Sequence, residues 1–284
     1  MPSIIEIKDL TFSYPHTEKP ALKNINLSIE TGKFVAVIGP TGSGKSTFCY
    51  CFNGSVPRLF NGDMNGSVVV AGLDTYENEI PILAEHVGLV VQNARSQLFN
   101  VTVREEVAFG CENLGVAREE IRKRMDEALA FVGLSGFEDR QPSALSGGQQ
   151  QRVAIACVLA MQPEVLVLDE PTSELDPIGS EQVMQVISRL NDELGKTIIL
   201  VTHDMDFVTH YADRVIVMNE GEIVEDGTPR SVFSQAELLR RIHIRPPQVS
   251  EVALELKKCG IPIGQIPINL EEAVVEMERL RHAH

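Results

Sequence analysis

The chain has 284 residues, 43% of them hydrophobic, 23% charged and 5% aromatic, with no Trp. This globular balance allows one large domain or two small ones, at the usual prior of about 100–200 residues per domain, and excludes a disordered, collagen-like or coiled-coil chain. The formal net charge is −15, from 25 basic and 40 acidic residues, and no basic stripe marks a nucleic-acid surface, so a polyanion has to be met by local backbone donors, a few cations and a metal ion.

In chain order, strand patterns fall at Ile4–Ile7, Phe34–Ile38, Ser67–Val70, Val87–Val91, Val165–Leu168, Ile198–Val201 and Val215–Met218. The start, Met1 to Lys8, lacks a basic region followed by an apolar one, so secretion is not expected. The longest apolar runs fall far short of the about 20 residues that cross a bilayer. The middle strands are almost wholly apolar, as in a parallel sheet covered on both faces. The first and last lie beside turn residues (Gly32, Gly66, Asn219-Glu220-Gly221) that favour antiparallel hairpins. Between Gln92 and Gln162 the period becomes helical, through Val103, Val107 and Ala108, then Ile121, Met125, Ala128, Leu129 and Val132. Beyond Arg241, Arg245-Pro246-Pro247 reads as a linker. Val249, Val252, Ala253 and Leu256 mark one helical face, and Leu270, Ala273, Val274, Met277 and Leu280 a second. Two such helices cannot form a core alone and are expected to pack on the main domain or on a partner. The five cysteines are odd in number and show no C-x-x-C spacing, which disfavours a zinc site or a disulfide framework and suits a reducing compartment.

The first motif, Gly39-Pro40-Thr41-Gly42-Ser43-Gly44-Lys45-Ser46-Thr47, follows a predicted strand and opens a predicted helix, the context a phosphate-binding loop requires. Glycines let the backbone wrap closely around phosphate oxygens, and N–H groups at the helix start face the anion. Lys45 is then placed for the β- and γ-phosphates, and the Ser46 hydroxyl for Mg²⁺. The second motif is Val165-Leu166-Val167-Leu168-Asp169-Glu170. Asp169, at a strand's C-terminal end, is placed to hold Mg²⁺, and Glu170 to orient and deprotonate an attacking water. Both motifs lie where parallel α/β sheets gather ligands. Phosphate loops serve kinases, GTPases, helicases and transporters alike, so these two leave the function open.

Leu145-Ser146-Gly147-Gly148-Gln149 narrows it. This segment precedes a predicted helix over Gln150–Met161, with Ser146 as N-cap and glycine N–H groups free for another anion contact. With this third motif, residues 1–235 resemble the ATP-binding-cassette (ABC) family of ATPases. The resemblance implies an α/β fold: a P-loop NTPase core with an antiparallel β subdomain, a helical subdomain inserted at about residues 93–163, and a small C-terminal helical extension over 236–284. It matches Tyr14 to the aromatic that stacks on adenine, and Gln92 to the glutamine that touches Mg²⁺ and senses the transmembrane partner. It also matches Ser173-Glu174-Leu175-Asp176 to the loop crossing the dimer interface, and His203 to the switch histidine at the γ-phosphate. It implies that ATP with Mg²⁺ is clamped between two head-to-tail cassettes, the phosphate loop of one facing Ser146-Gly147-Gly148-Gln149 of the other.

Two stretches, Gln92-Asn93-Ala94-Arg95-Ser96-Gln97-Leu98-Phe99 and Thr102 to Gly110, resemble the ATPases of energy-coupling-factor (ECF) importers, including the cobalt-type ones. In that family they line a groove for coupling helices of a shared transmembrane subunit, and Leu98, Phe99 and Val101 are candidates for it here. Pro246-Pro247-Gln248-Val249 is similar to the start of the C-terminal extension that adds to ATPase–ATPase contact. Ala94 and Arg95 depart from the Pro and Asp that many of those ATPases carry, which bears on the polarity of the groove and not on the fold. The expectation is therefore an ATPase at the cytoplasmic face of the membrane, energising uptake of a vitamin or metal ion. Its expected partners are a second ATPase (the same chain or a paralogue), a coupling subunit and a substrate-binding membrane subunit. A conventional importer ATPase with a soluble binding protein is the alternative; a non-transport cassette would need coiled-coil insertions, a second cassette or a basic face, none of which the sequence carries.

Overall fold

The computed structural model describes residues 2–282. Its strands are β1 (Ser3–Ser13), β2 (Leu22–Glu30), β3 (Phe34–Ile38), β4 (Asp63–Val70), β5 (Leu73–Asp74), β6 (Val87–Val90), β7 (Val165–Asp169), β8 (Thr197–Val201), β9 (Arg214–Asn219) and β10 (Glu222–Gly227). They form two sheets, β2-β1-β4-β5, which is antiparallel, and β10-β9-β3-β8-β7-β6. The second sheet is parallel from β9 to β6, with β10 antiparallel at its edge. Every residue of β3, β7 and β8 is buried, because helices cover one face and the antiparallel sheet with the helix Lys45–Phe52 the other.

The predicted strands are present; β2 and β10 are not expected from their own sequences, although the hairpin turn at Asn219-Glu220-Gly221 that leads into β10 is. In β2 the buried set Leu22, Ile25, Leu27 and Ile29 loses its period of two where Asn24 turns to φ 43 beside a bulge. The opposing strand β1 bulges at Asp9 (φ 51), and Asn26 clamps the irregularity, accepting from Asp9 N at 3.0 Å and donating to Asp9 Oδ1 at 3.1 Å. A bulge adds a residue to one strand and so destroys the alternation on which a strand is recognised. Strand β10 reads Glu-Ile-Val-Glu-Asp-Gly, the charged composition that shields a sheet edge from further pairing. The turn before it places Glu220 and Gly221 at φ 49 and 83, a left-handed pair suited to a tight hairpin.

The helices Val103–Asn113, Arg118–Phe131 and Gly147–Ala160 pack together over one face of the large sheet. The last begins at Gly147, three residues before the expected Gln150, because a capping box closes its first turn: Ser146 Oγ accepts from Gln149 N, and Gln149 Oε1 accepts from Ser146 N. Thr102 and Glu105 make the same arrangement at Val103.

The helices Gln248–Lys258 and Leu270–His282 match the periodicity beyond Arg241, but the faces they bury differ from those expected. Ile242, Ile244 and Ile268 join the cluster formed by β9 and Phe233, and an Arg230–Glu272 ion pair adds to this anchor on the main body. The two helices meet mainly through the segment between them, where Ile263 packs with Ala253 and Leu280. Glu276 accepts from Gly264 N at 2.6 Å, and Arg279, with that amide second, holds its carboxyl down at about 2. With the intervening segment filling the gap, Val252, Leu270, Val274 and Met277 remain exposed instead of forming a helix–helix core.

Candidate active site: a phosphate cradle facing two carboxylates

Strand β3 runs into the loop 39–44, whose backbone admits only glycine at key points. A Cβ on Gly39 would lie 2.3 Å from Met218 O, and one on Gly44 would lie 2.5 Å from Ala21 O. Gly42 and Gly44 also sit at φ 80 and 101, where L side chains are strained. Lys45 opens the following helix and folds back over the loop, its Nζ donating to Gly39 O at 2.8 Å and Pro40 O at 3.0 Å. Burial lowers its pKa, while Glu170 and Asp169 pull the other way. Ser43 Oγ is buried without a hydrogen-bond partner.

Across the cradle, β7 ends at Asp169, which is 5% exposed. Burial raises its pKa; the Ser46 hydroxyl and Lys45 oppose that rise. Glu170 leaves the strand at φ 52, a left-handed conformation costing on the order of 1 kcal/mol, and is pinned there by its N–H donating to Val201 O at 2.9 Å. Its Oε2 lies 2.6 Å from His203 Nδ1. Tyr14 sits edge-to-face on Phe12 at 4.9 Å, with its hydroxyl 3.0 Å from Thr47 Oγ1.

Tyr14, Thr41, Gly42 and Gly44 of the loop, Lys45, Ser46, Thr47, Gln92, Asp169 and Glu170 line one cavity of about 450 Å³, whereas Gly39, Pro40, Ser43 and His203 do not line it. The oxygens of Asp169, Ser46 and Gln92 form the hard donor set that Mg²⁺ takes. With the glycine cradle and Lys45, the site fits a metal-bound triphosphate. Two groups of expected site residues lie elsewhere: neither Ser146, Gly147, Gly148 and Gln149 nor Asp176 lines this cavity. Asp176 caps the helix Pro177–Asp192, its Oδ1 accepting from Gly179 N at 2.6 Å. Gly148 packs beside the same Gly179, where a Cβ would stand 3.4 Å from its Cα, so the two helix starts adjoin.

A second concavity, about 850 Å³ and largely apolar, is lined by Ile80, Leu89, Leu98, Phe99, Phe109 and Val158, among others. Phe99 and Phe109 meet edge-to-face at 4.9 Å and are 65% and 40% exposed. Beneath them Glu106, 4% exposed, accepts from the amides of Phe99 and Asn100 at 2.9 and 2.7 Å. Of the three residues expected in this groove, Leu98 and Phe99 line it and Val101 does not. The sequence reading also did not identify the tie made by Gln97, which accepts from Val91 N and donates to Leu89 O, both at 3.1 Å. A glutamine bonded to backbone leaves no periodic trace.

Comparison with known proteins is in keeping with this geometry. The ABC transporter family profile matches residues 22–173. The energy-coupling factor transporter ATP-binding protein EcfA1 of Caldanaerobacter subterraneus is 46% identical over 278 residues, covering 96% of this chain and 98% of that protein. Among solved structures, cbiO1 of Clostridium perfringens, part of the ABC transporter complex cbiONQ, aligns with a TM-score of 0.74 and 37% identity over 92% of this chain and 98% of its own. A dimeric ATP-binding cassette in a post-hydrolysis state, bound to ADP and Pi, aligns with a TM-score of 0.69 and 34% identity over 80% of this chain and 99% of its own.

Replacing Lys45 by Ala removes the ammonium and leaves the glycine loop. Affinity for ATP measured by titration calorimetry is expected to fall by about tenfold to a hundredfold, the range for losing a charged hydrogen bond.

Proposed function

The chain belongs to the ABC transporter family and is an ATP-binding ATPase, and on that premise we propose that it is the ATP-hydrolysing subunit of an ECF-type importer. The observation that carries the catalytic part is Glu170, held 2.6 Å from His203 at the edge of the cavity that Lys45, Ser46 and Asp169 share. In this reading, Lys45 and the N–H groups of Gly42, Ser43 and Gly44 bind the β- and γ-phosphates, and Tyr14 supports the adenine. Ser46, Asp169 and Gln92 would hold Mg²⁺, which would offset the charge of the phosphates. Glu170 accepts a proton from the water that attacks the γ-phosphorus; the bond to the β-phosphate oxygen breaks, leaving ADP and phosphate. His203, hydrogen-bonded to Glu170, orients that carboxylate and reaches the γ-phosphate.

Because Ser146-Gly147-Gly148-Gln149 and Asp176 lie outside the cavity, each chain contributes two half-sites. A complete site forms between two cassettes, with nucleotide favouring the closed pair and hydrolysis releasing it. The apolar groove carrying Leu98, Phe99 and Phe109 suits an inserted helix of a membrane-spanning coupling subunit. Among the described residues no helix is long and apolar enough to cross a membrane, so the proposed place of the chain is peripheral, at the cytoplasmic face. Relatives named for ECF and cbiONQ complexes support this subclass; the cargo, a vitamin or metal ion, would be selected by a separate membrane subunit. We further propose that residues 236–284 form an extension that strengthens ATPase pairing, with the exposed Leu270, Val274 and Met277 as its contact face.

Three outcomes are expected. Glu170→Gln removes the base and a negative charge but keeps the cradle: turnover falls by about a hundredfold or more, and size-exclusion chromatography with ATP shows a persistent dimer. A near-normal hydrolysis rate would remove Glu170 from the role of base. Deleting Ser250–His284 weakens pairing by about tenfold or more in analytical ultracentrifugation while ATP binding is kept. Affinity capture from native membranes recovers a spanning coupling subunit and a small substrate-binding membrane protein; a soluble receptor instead would favour a conventional importer.

A further inference from the structure

The segment after β6 makes hydrogen bonds to three different neighbours within six residues. Gln97 ties it back to Leu89 and Val91 of its own strand region. Asn93 Nδ2 reaches Glu174 Oε1 at 3.4 Å, in the loop that follows the catalytic carboxylates. Arg95 turns the other way, its Nε donating to Gln150 Oε1 at 3.0 Å.

Gln150 is 4% exposed and occupies the first turn of the helix that Ser146 caps. Its backbone N–H donates to Ser146 O at 2.8 Å, and its side-chain Nε2 donates to Pro142 O at 2.9 Å. One buried amide therefore fixes the chain on both sides of Leu145-Ser146-Gly147-Gly148-Gln149, and Arg95 grips that amide from outside. Among the described residues, the Arg95–Gln150 contact is the one hydrogen bond that joins residues 92–97 to this helix. Beside it the two segments are separated by a cavity of about 180 Å³. Asn93 Oδ1 on one segment and Gln151 Nε2 on the other are buried without partners, a complementary acceptor and donor that do not lock the joint. Gln92, three residues before Arg95, lines both this cavity and the phosphate cavity.

We propose that Arg95 is a positioning residue that links Gln92, at the phosphate end of the loop, to the Ser146-Gly147-Gly148-Gln149 turn through Gln150. Its side chain touches no substrate. It sets the angle at which the turn meets the nucleotide carried by the second cassette. This rests on the paired half-site reading given above.

The test uses the full chain and compares Arg95→Met, which keeps length and apolar stem but no donor, with Arg95→Lys, which keeps a donor. ATP affinity is measured by calorimetry at dilution where the chain is monomeric, and kcat and KM at concentrations where it pairs. Arg95→Met is expected to lower kcat by about tenfold, the size expected if the bond to Gln150 is what keeps the turn in its catalytic position. Monomer ATP affinity and melting temperature stay at wild-type values, and Arg95→Lys recovers kcat to within about threefold. Wild-type kcat in Arg95→Met, a loss confined to ATP affinity, or equal loss in both variants would overturn the proposal. A wild-type rate per chain that is independent of concentration would overturn the paired-site reading, and the proposal with it. Concentration-dependent wild-type activity beside an undiminished Arg95→Met overturns the proposal alone.

Discussion

Asp169 on β7 and Val37 on β3 both pair with Val201 of β8, and this parallel register is the constraint on which the rest of the molecule depends. It brings the C-terminal ends of three neighbouring strands to one edge of the sheet. Gly39, Glu170 and His203 then emerge within reach of one another, although as many as 164 positions separate the first from the last. Parallel strands expose nothing but carbonyl and amide groups at such an edge, so the chemistry gathers in the loops that leave it. β3, β7 and β8 are buried along their whole length, so a slip of one residue would exchange one apolar face for another and be opposed by the misfit of packed side chains on both faces. Catalytic geometry follows from the register so held. Glu170 shows the dependence directly: its left-handed backbone is tolerated because the bond to Val201 O continues the ladder one residue past the strand.

A chain of net charge −15 that binds a triphosphate must do so against its own long-range field. The cradle answers with short-range groups. Backbone N–H donors carry no titratable charge and are aimed by the glycine loop before any ligand arrives. Lys45 is held over the same loop by two carbonyls, so its ammonium loses little further freedom on meeting phosphate. Burial lowers its pKa, and the neighbouring Glu170 and Asp169 oppose that lowering in part. Carboxylates that would repel a bare anion therefore support the cation that binds it, and they are also the groups suited to a metal and a water.

The parts of this site that were legible in the sequence are those in which one chemical need sets residue type and spacing together. The glycines at 39, 42 and 44 are such a case, since two of the three meet backbone oxygen if given a Cβ and two adopt positive φ. Asp169 and Glu170 were legible because an apolar strand ends at them. Strands β2 and β10 were not, since a bulge in one and an edge position in the other replace the pattern that marks a buried strand. The tail helices illustrate a different limit. Periodicity marks Leu270, Val274 and Met277 as one face, but whether a face is covered depends on what fills the gap, and the segment holding Ile263 fills it here. Links such as Arg95–Gln150 or Gln97 with the backbone of Leu89 join positions with no repeat between them, and only the folded chain brings them together.

On the proposed reading, the arrangement of Ser146-Gly147-Gly148-Gln149 bears on why the cassette would work as a pair. The turn is rigid before any partner arrives: Ser146 and Gln149 satisfy one another, and Gly147 and Gly148 pack against Leu175 and Gly179 of the loop and helix that Asp176 caps. A preformed donor surface loses little conformational entropy on closing over a nucleotide, so more of the contact energy remains for association. The same two capped helix starts oppose bending of the turn. On the proposed reading, hydrolysis is confined to the pair for this reason. On that reading, the geometry that would make the turn a half-site for another molecule also withholds it from its own.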